Sequence, residues 1–421
     1  MSVAERLVYA GTVDTASWRS TANGLRIVAH VDPATEVVSA ALAVGVGSRS
    51  ETSDWSGLAH LAEHIACGAE TSRTEALAAV GGTCNAVTQP DLTLYFGSVT
   101  VPHGRTLIER LLEVISFEGA TAARIRHEIG IVGDEISAAM NGSVMGGFPW
   151  LWLPSALYDE PEFAHNGYGD LQSLKRVSPT ILAAFFGRYY VADNAVLAVT
   201  APSLDELNQS LHKTTARLSR GECRAVGSAQ PPVVESAAPV RLYAPEQPWQ
   251  ATAVAWSLPC ASLDIEHLRA AVLADALVGP DDGVLEDALP DALEVAAYVG
   301  PFADPWDVAA PLPFVVEVHH ESSADPLVVC DAVLDVLRTA EITDDTVTAV
   351  AGRLKTSLCQ RLTDPIENPR LLASAEVVHG RIDALAAVPE RLDTVSVTEV
   401  YVTACQLAER SHRILTRGPR L

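Results

Sequence analysis

Leu25–Val46, LRIVAHVDPATEVVSAALAVGV, reads as two apolar, β-branched strands on either side of a Pro/Ala/Thr turn. Leu92–Val101, LTLYFGSVTV, alternates apolar and polar residues like a further strand, and Asn194–Thr200, NAVLAVT, reads as a returning one. Between them, Thr106–Ser116 and Ala122–Met140 carry the three- and four-residue apolar spacing of amphipathic helices. Strands interleaved with helices in this way predict an α+β domain.

Beyond residue 217 the pattern breaks. The stretch 218–239, LSRGECRAVGSAQPPVVESAAP, is rich in Ser, Gly, Ala and Pro, lacks helical periodicity and contains the breaker pair Pro231-Pro232, so it reads as a linker. The order of elements then starts again, with a core strand at Ala251–Ser257, a helix at Ile265–Leu277, a strand at Pro313–His319 and helices at Leu327–Leu337 and Thr346–Leu362. A domain over residues 1–217 and a second of similar fold over 240–421 are expected, and a chain of 421 residues is long enough for two cores.

Hydrophobic residues make up 48% of the chain and charged residues 19%, an ordinary globular balance. The 53 acidic and 29 basic side chains leave a net charge of −24, which repels phosphate backbones and anionic headgroups. Nucleic acid and membrane surfaces are therefore not expected partners. No run of apolar residues is long enough to span a bilayer, and the opening MSVAERLVYAGTVDTASWRS places polar residues too early for a signal peptide. The seven cysteines are odd in number, scattered and free of CxxC pairs, as expected of reduced thiols in a cytoplasm.

The chemistry is concentrated in Gly57–Gly68, GLAHLAEHIACG. A start signal in Asp54 or Ser56 and a stop at Gly68 frame a short helix. Within it His60 and His64, four residues apart, share a face, and Glu63 projects from the same side. Two imidazoles aimed at one ion beside a carboxylate suit a catalytic Zn²⁺, and HxxEH is the inverted form of the HExxH signature of zinc peptidases. The flanking residues are apolar almost all round, so the helix should be buried, where uncompensated His and Glu would be destabilising. A third ligand must come from elsewhere. In Ala122–Met140, Glu128 and Glu135 lie seven residues apart on one helix face, which makes Glu135 the expected ligand. Glu128 is either a carboxylate that orients a ligand or a solvated glutamate. His127 and Asp134 sit one position off that face and are weaker candidates, and Cys67 reads as a small buried hydrophobe. His319 and His320, adjacent on a strand, face opposite sides and do not make a metal site.

NGLRIVAHVD at Asn23–Asp32, VGSRSE at Val46–Glu51, GLAHLAEH at Gly57–His64, GGTCNAVTQPDLTLY at Gly81–Tyr95 and the Glu128/Glu135 pair together resemble the pitrilysin or insulinase family of zinc peptidases. In size the chain is similar to the mitochondrial processing peptidase branch and the short bacterial members. The resemblance implies a zinc held by His60, His64 and Glu135, with Glu63 as the base and Glu128 in support. It also implies that the strand around Asn85, Ala86 and Val87 pairs with an extended peptide. The expected fold is two similar α+β domains, each a mostly antiparallel sheet packed with helices.

Two departures from the family pattern stand out. The stretch from His64 to Gly81 is short for the family. In the second domain, where the family places an Arg and a Tyr that reach substrate, Leu285–Gly300 keeps Tyr298 but has Pro290 near the place of the Arg. Since paired members of the family complete one chain's site with the other's second domain, the expected assembly is a heterodimer with a homologous partner subunit, with a homodimer as the alternative.

The expected activity is that of a zinc endopeptidase acting on peptides or peptide precursors, leader-peptide processing among them. Glu63 would take a proton from the attacking water and pass it to the leaving amine, and Tyr298, or an Arg/Tyr pair from a partner, would stabilise the oxyanion. The competing expectation is a non-catalytic core subunit of a peptidase complex; the intact HxxEH argues against it, and the missing Arg argues for a division of labour.

Overall fold

The chain builds two sheets. In the computed structural model, residues 6–8, 15–19, 23–67, 72–116, 119–141, 147–204, 218, 220–221, 233–236, 238–244, 249–279, 283–300, 306, 308–321 and 324–419 are described. The first sheet comprises β1 (Arg6–Val8), β2 (Thr15–Arg19), β3 (Arg26–Val31), β4 (Val37–Val44), β5 (Thr83–Thr88), β6 (Thr93–Thr100) and β7 (Ala195–Ala201). Their spatial order is β1-β2-β3-β7-β4-β6-β5, with only the β3/β7 pair parallel. The second sheet comprises β8 (Val240–Tyr243), β9 (Trp249–Leu258), β10 (Ala292–Val299), β11 (Leu312–Glu321) and β12 (Arg413–Gly418), in the order β10-β11-β9-β12-β8, with only β12/β8 parallel.

Read from β3 and from β8, the two sheets follow one plan: first strand, last, second, fourth, third. The restart of elements expected after the 218–239 stretch is thus matched strand for strand. Residues 219, 222–232 and 237 of that stretch lie outside the described residues.

The strands expected within Leu25–Val46 are β3 and β4, and those at Leu92–Val101 and Asn194–Thr200 are β6 and β7. β4 and β7 lie at the sheet's centre, which explains why they are apolar except for Ser39 and Thr200: Val38–Val44 and all of Ala195–Ala201 are buried. The many alanines there let a helix approach closely, and Glu367–His379 packs across β4 and β7. Polar contacts fix its register, with Thr200 Oγ1 donating to Asn368 Oδ1 at 3.0 Å and Arg26 pairing with Glu376 at 3.3 Å.

Helices α1 (Leu58–Cys67) and α2 (Ser72–Ala78) lie between β4 and β5, and α3 (Gly104–Leu112) and α4 (Ala122–Asn141) come after β6. Two compact units result. One gathers residues 1–134, 167–227 and 359–386; the other gathers 135–166, 228–358 and 387–421. In the second unit Phe148, Leu153, Leu157 and Tyr158 pack on Ala251, Ala253, Ala255, Val315 and Leu415 of its sheet. Among the described residues no helix is long and apolar enough to cross a membrane.

Candidate metal centre

The site begins with the loop that leads into α1. Ser48 N–H and Arg49 N–H donate to the carbonyls of Gln89 and Pro90 at the tip of the β5–β6 hairpin, and Arg49 pairs with Asp91 at 3.0 Å. The same loop ends in Glu51, which is 2% exposed and accepts from Gly57 N–H at 2.7 Å and Ala59 N–H at 2.6 Å. The helix start expected at Asp54 or Ser56 is therefore supplied by Glu51: a buried carboxyl group answers the open N–H groups of a buried helix end, whereas Asp54 is exposed.

Burial pushes the Glu51 carboxyl up to about 8, against the pull of its two N–H bonds. The folded chain thus binds a proton that the unfolded chain releases near 4.5. This contribution to stability is full below 4.5 and is lost as pH rises through about 8. We expect the melting temperature of the metal-free wild type to fall relative to Glu51→Gln between pH 5 and pH 9, by an amount corresponding to a few kcal/mol, on the order of 4. Parallel melting curves for the two proteins across that range would remove this assignment.

On α1, Leu58, Ala59, Leu61, Ala62, Ile65 and Ala66 are buried as the composition of the helix predicts, and His60, Glu63 and His64 are half-buried on the remaining side. The two imidazoles converge, with His60 Nε2 and His64 Nε2 3.2 Å apart. His60 Nδ1 lies 3.1 Å from the carbonyl of Tyr168, which can only accept, so the proton sits on Nδ1. His64 Nδ1 faces Glu128 Oε2 at 3.5 Å. With both Nδ1 atoms turned to oxygens, the two Nε2 atoms point at one spot, where a shared proton holds them together in the absence of a metal and a metal ion could take its place. Bonds of 2.0–2.1 Å to a tetrahedral zinc would set two nitrogens roughly 3.3 Å apart, close to the separation found here.

Glu135 completes the group: one ligand atom each from His60, His64 and Glu135 all lie within 4.8 Å of one another. Two imidazoles and a carboxylate are the donor set of catalytic zinc, with a fourth position left for water or substrate. The residues present fit that ion. Glu135 and Glu128 sit two turns apart on α4, one continuous helix. Glu128 is buried beside His64 rather than solvated, while His127 and Asp134 are exposed. At the other end of α1, Arg124 donates to the Ile65 carbonyl at 2.6 Å and ties α4 to it.

Glu63 accepts from Thr88 Oγ1 at 2.7 Å. Behind it the buried phenols of Tyr95 and Tyr190 share a 2.9 Å hydrogen bond. Burial pushes both phenols well up, and the nearby charges of Cys67 and Glu63 add to the shift, so both stay protonated. Asn85, Ala86 and Val87 lie on β5, the edge of the first sheet, where Asn85 Oδ1 accepts from Ala86 N–H at 2.9 Å. That bond marks Ala86 N–H as one that faces away from β6.

Tyr298 sits on β10, the edge of the second sheet. Its hydroxyl donates to Glu317 Oε2 at 2.6 Å, and its ring lies 5.1 Å from that of Trp150. Glu317 Oε1 also meets His319 Nε2 at 2.8 Å; that hydrogen bond, outweighing partial burial, raises the imidazole's affinity for a proton. His319 and His320 face opposite sides, the latter with Nε2 2.8 Å from Thr252 Oγ1. Sequence reading missed Glu51, Thr88, Tyr168 and Glu317. A lone acid within the apolar run PFVVEVH was a signal for Glu317, whereas the Tyr168 contact is made by backbone and leaves no signal in side-chain identity.

Comparison with known proteins accords with this geometry. Residues 26–143 match the model of the insulinase family, peptidase family M16. The chain is 24% identical over 419 residues to the zinc protease ML0855 of Mycobacterium leprae, covering 94% of this chain and 90% of that one. It is 24% identical over 183 residues to the mitochondrial-processing peptidase subunit beta of Neurospora crassa, covering 42% and 37% of the two chains. A protease from Helicobacter pylori has the same fold, with a TM-score of 0.82 at 16% identity over 97% of this chain and 100% of that one.

Proposed function

We propose that the chain is a zinc-dependent endopeptidase of the insulinase family, M16, in a short two-domain form similar to bacterial zinc proteases and processing-peptidase beta subunits. The observation that carries this reading is the convergence of His60 Nε2 and His64 Nε2 at 3.2 Å with Glu135 beside them. His60, His64 and Glu135 would hold the ion, the Tyr168 carbonyl and Glu128 fixing the two rings. A zinc ion in this place would supply Lewis acidity toward the scissile carbonyl and the attacking water. Glu63 takes the proton from that water and delivers it to the leaving amine.

The peptide is proposed to add as a strand along β5, where Asn85, Ala86 and Val87 offer main-chain hydrogen bonds once the Asn85 side chain yields its hold on Ala86. Tyr298 is proposed to donate to the oxyanion, for which its hydroxyl must leave Glu317. With Pro290 near the place of an Arg, we assign the chain the role of zinc-bearing subunit of a heterodimer whose homologous partner supplies that Arg. The net charge of −24 favours basic peptides, leader-peptide precursors among them, and a cytoplasmic setting fits the scattered thiols.

The test is the zinc content of the purified chain, with cleavage of a mixed peptide library by the chain alone and after mixing with a homologous subunit. We expect one zinc per chain and cleavage in the mixture. Cleavage by the chain alone at the same rate would replace the heterodimer with a self-sufficient enzyme. Zinc without cleavage in either condition would leave a non-catalytic core subunit.

A further inference from the structure

We infer that Thr88 is a positioning residue for Glu63, and that the strand which receives the peptide also sets the place of the base. This rests on the peptidase reading above. Thr88 is the last residue of β5, the strand that carries Asn85, Ala86 and Val87. Side chains alternate along a strand, so Cys84, Ala86 and Thr88 share one face, and α1 packs against β5. From that face the Thr88 hydroxyl donates to Glu63 Oε2 at 2.7 Å. A charge-assisted bond of this length fixes the plane of the carboxylate and directs its other oxygen.

Thr88 is itself held rigidly. It pairs with Thr93 across the β5–β6 hairpin, whose tip closes with Gln89 N–H on the Leu92 carbonyl at 2.8 Å. The loop bearing Glu51, which starts α1, grips that same tip through Ser48 and Arg49. The β-branched side chain has few rotamers open to it. Helix and strand are therefore located against each other at both ends of the Thr88–Glu63 bond. A peptide added to the β5 edge would be registered by the same backbone that aims the base.

The test compares Thr88→Val, which keeps the shape and removes the donor, with Thr88→Ser, which keeps the donor. Each is assayed with a fluorogenic arginine-containing peptide under the condition in which the wild type cleaves. We expect Thr88→Val to bind one zinc, to melt like the wild type, and to lose about 10- to 100-fold in kcat with KM changed less than about twofold. Thr88→Ser should recover most of the rate. In crystals of the zinc-loaded proteins the Glu63 carboxylate should turn in Thr88→Val and return in Thr88→Ser. An unchanged kcat, an equal loss in both variants, or an unmoved carboxylate overturns the inference. If the wild type cleaves nothing or Glu63→Gln still turns over, the peptidase reading itself fails, and the crystal comparison still decides whether Thr88 positions Glu63.

Discussion

Glu63→Gln should bind one zinc per chain and show turnover reduced by about 10³- to 10⁴-fold. Gln keeps the size of the side chain and an oxygen to accept from Thr88 Oγ1, so the 2.7 Å bond and the packing of α1 persist. It does not touch the convergence of His60 and His64, which depends on Tyr168 and Glu128. What it removes is the basic oxygen to which the proposed reaction assigns the water's proton, and general-base catalysis contributes an effect of this size. The measurement is metal analysis alongside single-turnover cleavage. A variant that holds zinc and cleaves within tenfold of wild type would remove Glu63 from the role of base, whereas one that loses zinc would show that Glu63 supports the ion instead.

Gly169→Ala should weaken zinc binding and the fold together. Gly57 and Gly169 both have positive φ, +92° and +108°, which disfavours any side chain. They also press directly on each other: a Cβ on Gly169 would lie 2.5 Å from the Gly57 Cα, and one on Gly57 would lie 2.6 Å from the Gly169 Cα. These are backbone atoms, so no rotamer change relieves the overlap. The contact sets the start of α1 against the segment whose Tyr168 carbonyl holds His60 Nδ1, with Asp170 N–H on the Ser56 carbonyl beside it. Separating the two strands of backbone costs about 3 kcal/mol or more of stability. It also frees His60 to turn, a loss of orientation that lowers metal affinity about 10- to 100-fold. Chelator competition and thermal melting measure the two effects. Gly187→Ala, inside the helix Pro179–Tyr189 where a Cβ would meet no atom within 4 Å, is the control expected to leave zinc affinity unchanged and to raise stability by about 0.5–1 kcal/mol. Unaltered zinc affinity in Gly169→Ala would show that the Tyr168 carbonyl does not govern His60.

Much of the fold was legible because its central strands are largely buried and read as mainly apolar, β-branched runs with few polar residues: β4 and β7 in the first sheet, β9 and β11 in the second. The helix at Ile265–Leu277 was legible to its ends. Edge strands were harder. β5 shows no strong apolar run, because one of its sides is not packed in the sheet, and only the family resemblance pointed to it.

Local sequence determined, by itself, what repeats at helical spacing: His60, Glu63 and His64 on one side of a buried helix, Glu128 and Glu135 on one face of another, and the strand runs that define two α+β sheets. Backbone geometry within one helix or one strand is enough to fix those relations. Only the tertiary structure decided what meets them: Tyr168 at His60, Thr88 at Glu63, Glu51 at the start of α1 and Glu317 at Tyr298. Helix periodicity says which side chains share a face, but not which distant strand, loop or carbonyl the packing of two sheets brings to that face.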